Sequence, residues 1–132
     1  MSQENVEMVR RGFEAFNRGD LEGVAAEFAP DFEYVASGTI PGVGGVYRGP
    51  EGYRRFQEAF WAEFADGRAE INELIEAGDQ VLVSATVRGR GKQSGVEASW
   101  DFWQLWTVQD GKVVRGQAFM SRAEALEAAG LE

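Results

Sequence analysis

The chain of 132 residues contains no cysteine and no histidine. Without cysteine there is no disulfide and no thiolate nucleophile. Without both residues the usual ligands of zinc and haem are missing, and so is the base of a His-centred triad. Positive charge is scarce as well. Lys and Arg number 13 against 22 Asp and Glu, a formal net charge of -9. That balance argues against nucleic acid and anionic membranes, because phosphate binding needs clustered cations. No apolar run approaches the roughly 20 residues of a membrane span. The start, Met1-Ser2-Gln3-Glu4-Asn5, is polar and acidic and lacks the pattern of a secretory signal, so a cytoplasmic location is expected. No carboxylate cluster replaces the absent metal ligands, so neither a metal nor a cofactor is expected.

What is present is enough to build a core. Hydrophobic residues make up 44% and aromatics 12% of a chain about the size of one domain, so a single domain over 1–132 is expected. Val6, Val9, Phe13 and Phe16 recur at helical spacing after a possible cap at Ser2. Gly19 stops that helix and Asp20 caps a second, with Leu21, Val24, Ala25 and Phe28 on its apolar face and Pro30 at its end. Residues 32–36 read as a short strand. Ser37 to Gly49 holds five glycines and a proline and reads as a loop. Pro50 opens a third helix with an aromatic stripe of Tyr53, Phe56, Phe60 and Phe64.

Beyond Gly67 the period changes to two. Strands are expected over 69–77, 80–87, 96–108 and 112–120, with Asp110-Gly111 as a hairpin turn of the favoured kind. Ser121-Arg122-Ala123-Glu124 is a capping box for a short last helix. Helices first and a strand meander after them define an α+β fold and exclude a doubly wound nucleotide fold. Gly42-Val43-Gly44-Gly45-Val46-Tyr47 is not a dinucleotide fingerprint, and Gly91-Lys92 lacks the rest of a phosphate loop.

Several segments together resemble the SnoaL-like proteins of the NTF2-like superfamily. They are Phe16-Asn17-Arg18-Gly19-Asp20-Leu21, Phe28-Ala29-Pro30-Asp31, Tyr47-Arg48-Gly49, Asp110-Gly111-Lys112-Val113-Val114 and the tail from Arg122 to Leu131. The resemblance spans essentially the whole chain. It implies a cone: a curved antiparallel β-sheet wrapped around three N-terminal helices, with a short C-terminal helix. It also implies an apolar cavity for a small organic ligand and, often, a homodimer. Such a fold serves cyclases, isomerases, epoxide hydrolases and plain binding proteins, so it cannot choose among them. The residue sets of two of these are absent. Ala36, Gly12 and Trp103 stand where a ketosteroid isomerase would carry its base and its oxyanion donors, and Ala118 where a limonene epoxide hydrolase would carry a carboxylate.

Cyclase-type chemistry needs only one positioned acid/base group, and Asp101 is the candidate. By alternation Asp101 shares a strand face with Trp103, Leu105 and Thr107. If that face lines the cavity, burial raises the Asp101 pKa toward neutrality; the alternative is an ion-paired carboxylate at the wetter end of the strand. Tyr34 is the candidate for orienting a ligand carbonyl, the alternative being a core tyrosine bonded to backbone. The expected cavity wall is Phe16, Tyr34, Phe56, Phe60, Val83, Trp103, Leu105 and Met120. The opposite face of the same strand, with Trp100, Phe102 and Trp106, is expected either to pair with a second copy or to be covered by the terminal helix. The function expected is therefore binding of a small apolar or aromatic molecule. Acid/base catalysis or a non-catalytic binding or interaction role both remain open.

Overall fold

The structure, a computed structural model, describes residues 2–36 and 45–131. Helix α1 spans Ser2–Asn17 and the single turn α2 spans Leu21–Val24, capped by the Asp20 carboxylate, which accepts from the Gly23 N–H at 2.9 Å. Strand β1 (Phe28–Ala36), strand β2 (Gly45–Arg48) and helix α3 (Gly49–Glu63) follow. Then come strands β3 (Phe64–Ala77), β4 (Gln80–Gly91), β5 (Glu97–Gln109) and β6 (Lys112–Phe119), and helix α4 (Arg122–Ala128). The six strands form one sheet in the order β2-β1-β6-β5-β4-β3. Four neighbouring pairs are antiparallel; β1 and β6 run parallel. Asp110 and Gly111 both take positive φ, as the expected hairpin turn requires.

Three local expectations change. The second helix stops at Val24, and Phe28 and Pro30 belong to β1. Proline is tolerated there because the β1–β6 register shifts between Phe28 and Glu33, so Pro30 sits where the ladder is interrupted. Part of the expected loop, residues 37–44, lies outside the described residues, and its end is strand β2, paired with β1 from Glu33↔Arg48 to Ala36↔Gly45. Strand β3 begins at Phe64, five residues before its expected start, because helix α3 ends at Glu63. Gly67 then lies inside it, directly under the indole of Trp61, where a Cβ would collide with the ring.

Two irregularities in the β3–β4 register, at Ala65/Arg68 and Ile71/Glu73, bend the edge strand β3, and bulges of this kind increase local twist. The bent sheet closes over α1 and α3. Asn17, at the end of α1, fixes that closure. Its side-chain amide donates to the Ala69 carbonyl and accepts from the Ala69 N–H, both at 2.8 Å. Asn17 thereby stands in for a neighbouring strand at the open edge of β3.

The main core lies between this inner sheet face and the helices, around Phe28, Phe32, Tyr34, Tyr53, Val81, Val83 and Trp106. A smaller cluster, Leu82, Leu105 and Ala125, lies on the outer face beneath α4. No helix among the described residues is long and apolar enough to cross a membrane.

Candidate functional site

Pairing registers decide which side of β5 faces inward. Gln104 pairs with Val83 and Ala118, Phe102 with Ala85, and Trp106 with Val81 and Gly116. Those neighbours belong to the core side, so Trp100, Phe102, Gln104 and Trp106 point toward the helices. This reverses the expected faces. Trp100, Phe102 and Trp106 line the cavity instead of offering an outer surface to a second copy. Asp101, Trp103 and Leu105 lie on the outside, where Leu105 is buried with Leu82 and Ala125 under α4 and Trp103 packs against the same group. Alternation divides β5 into two sets but does not say which is inner. Both sets carry large rings, and the packing of α1 and α3 makes the choice.

The cavity has a volume of about 120 Å³. One enclosed water needs about 10–15 Å³ on this measure, so the space suits a small organic molecule. Phe16, Tyr34, Phe56, Phe60 and Met120 line it. Val83 is fully buried in the core but does not reach the cavity wall. Gly12, Ala36 and Ala118 do line it, and none of the three carries a polar side chain. Phe28, Tyr53, Trp100, Phe102 and Trp106 complete an aromatic wall.

Asp101 is exposed and accepts a hydrogen bond from the Thr86 hydroxyl at 2.8 Å, and Thr86 is in turn bonded by Asn72. Its carboxylate therefore sits in water on the far side of the sheet and cannot reach a ligand in the cavity. Among the described residues the one charged side chain on the cavity wall is Glu27, and Arg11 holds it at 2.7 Å. Hydrogen bonding to Glu27 and its charge push the Arg11 pKa up from the ordinary guanidinium value.

The polar groups inside form a short chain. The Trp106 indole N–H donates to Gln104 Oε1 at 3.1 Å, and Gln104 Nε2 donates to the Tyr34 hydroxyl oxygen at 2.9 Å. An indole nitrogen can only donate, so the amide orientation of Gln104 is forced. Tyr34 must then accept from Gln104, and its own proton remains available. Gly116 lies between these rings in the sheet; a Cβ there would come within 2.5 Å of Trp106 and 2.9 Å of Tyr34. Its lack of a side chain lets the two rings meet at a centroid distance of 5.7 Å. Burial pushes the Tyr34 and Tyr53 pKa values well above the ordinary phenol value, so both hydroxyls remain protonated donors.

Gln57, on α3, is 1% exposed and lines the same cavity. Neither its Nε2 nor its Oε1 has a hydrogen-bond partner among the described residues. The Tyr53 hydroxyl interacts with the Gln57 amide, which opposes the rise of the Tyr53 pKa caused by burial, but no bond to either amide atom meets hydrogen-bond geometry. Leaving such a buried group unsatisfied costs about 1–3 kcal/mol. Gln57 and Gln104 were missed from the sequence because an amide carries no titratable signal. The available sign was position: Gln57 interrupts the aromatic stripe of α3, and Gln104 interrupts the alternation Phe102–Trp106.

Comparison with known proteins agrees with this architecture. The SnoaL-like domain matches residues 9–116. An NTF2-like protein of unknown function from Burkholderia pseudomallei is 29% identical with a TM-score of 0.81, over 94% of this chain and 95% of that one. TerC, co-crystallised with polyporic acid, is 28% identical with a TM-score of 0.81, over 96% and 98% of the two chains. A SnoaL-like polyketide cyclase from Jannaschia shares the fold at 21% identity and a TM-score of 0.78, over 97% of this chain and 92% of that one. No curated protein matches the chain. The domain match covers most of the chain, and the cavity between helices and bent sheet accords with it: the chain belongs to the SnoaL-like family of NTF2-like proteins.

Proposed function

We propose that the protein binds a small, neutral, largely aromatic molecule in this cavity, with the Tyr34 hydroxyl donating to a ligand oxygen. The observation that carries the reading is that Tyr34 accepts from Gln104, whose amide is oriented by Trp106, so its hydroxyl proton is left free at a largely apolar wall. Flat rings stack or meet edge-to-face on such walls, and a small number of placed polar groups fixes orientation. That TerC crystallises with an organic ligand supports the same reading. Titration with acetophenone, followed by quenching of Trp100 and Trp106, tests it. Saturable binding is expected, weakened about three- to tenfold in Tyr34→Phe as one hydrogen bond is lost. Absence of saturable binding overturns it.

Acid/base catalysis is the second reading, and the presence of Glu27 on the cavity wall gives it a place to act. A Glu27→Gln variant that keeps binding but loses turnover of a bound carbonyl compound would support catalysis; unchanged turnover would remove it. Pairing of two cytoplasmic copies through the outer sheet face is a further part of the proposal. Arg68, Glu70 and Arg88 sit close together there, with charges of both signs that suit a self-complementary contact.

A further inference from the structure

The cavity's two glutamines are used very differently. Gln104 has its oxygen and its nitrogen engaged, while Gln57 has neither. A leucine or methionine at position 57 would fill the same helix face, beside Tyr53, Phe56 and Phe60, without orphaning any polar atom. We propose that the Gln57 amide is the specificity element of the cavity, selecting a neutral ligand with a carboxamide or lactam edge on an aromatic body. This rests on the reading that the cavity takes small aromatic molecules.

An amide edge places an acceptor and a donor side by side, the complement of what Gln57 offers. The ligand carbonyl accepts from Nε2–H while the ligand N–H donates to Oε1, which closes a two-bond ring. Both amide atoms are covered by their neighbours, so to engage a ligand in the cavity the Gln57 side chain must turn its amide toward it. A carboxylate is a poorer match. It offers no donor, and among the described residues no Lys or Arg lines the cavity and the one charged side chain there is Glu27.

The test is a set of calorimetric titrations of the whole chain with benzamide, acetophenone and ethylbenzene, on wild type and Gln57→Leu. The substitution is expected to weaken benzamide about tenfold or more and ethylbenzene less than threefold, since only the amide uses both polar atoms. In wild type, NMR should show the Gln57 side-chain N–H signals shifting and gaining exchange protection with benzamide and not with ethylbenzene. That measurement decides the matter if the variant does not fold. Equal losses for benzamide and ethylbenzene, or Gln57 signals indifferent to benzamide, overturn the proposal and leave the cavity reading intact. Gln57 would then hold only water. Failure of all three compounds to bind wild type overturns the cavity reading and this proposal together.

Discussion

At the scale of single residues, the cavity sets phenol and amide groups among aromatic and aliphatic side chains. Tyr34 and Tyr53 stay protonated because burial penalises the phenolate. This has a consequence for stability with a definite sign. The folded pKa lies above the unfolded value of about 10, so the contribution is complete below pH 10 and is lost as pH rises above it. There the unfolded chain gives up phenol protons that the folded chain keeps. Urea unfolding is predicted to show a free energy that falls above pH 10, by up to about 1.4 kcal/mol per pH unit for each tyrosine. Tyr34→Phe should remove one tyrosine's share of that slope. An unchanged slope in the variant would contradict the burial assigned to Tyr34. At this scale the sequence showed Tyr34, Phe56 and Phe60 plainly, because large rings at helical or alternating spacing are core residues. It concealed Gln57 and Gln104, whose roles depend on which atoms across the cavity are left unpaired.

At the scale of elements, helix α1 and strand β3 meet through a single residue. Asn17 satisfies both the N–H and the carbonyl of Ala69 at the outer edge of β3. Asn17→Ala leaves both backbone groups of Ala69, a residue 4% exposed, unpaired, and is predicted to destabilise the chain by about 1–3 kcal/mol. A denaturant midpoint that shifts without a change in slope is the expected readout, and an unshifted midpoint contradicts the role given to Asn17. The elements themselves were largely legible. Capping by Asp20 and Ser121, proline at the start of α3 and the Asp110-Gly111 turn are local signals, and the structure keeps all of them. What was not legible was set by partners distant in sequence. The face of β5 depends on how α1 and α3 pack. Placing Pro30 in a strand depends on the interrupted pairing of β1 with β6.

For the whole molecule, the early absences take on a clearer meaning. A chain with no His or Cys and an acidic balance encloses a cavity whose hydrogen-bonding side chains include phenols, amides and an indole. Among the described residues the one carboxylate at the wall is paired with Arg11, and Asp101, the residue expected to supply acid/base chemistry, lies on the outer side of the sheet. The outer face also lost the aromatic row expected to drive a dimer. Pairing there would instead rest on polar and charged rows such as Arg88–Glu70 and Thr86–Asp101. Such a contact is screened by salt, so sizing at micromolar concentration should show a dimer at low salt that weakens at high salt. A monomer at both would exclude pairing through this face. The central claim is the proposal for the inside: Tyr34 accepts from Gln104, which is oriented by Trp106, and keeps its own proton for a ligand oxygen. The most direct measurement is the infrared carbonyl stretch of acetophenone bound to the protein. The account predicts a lower frequency in wild type than in Tyr34→Phe with the ligand bound in both; identical frequencies would contradict it.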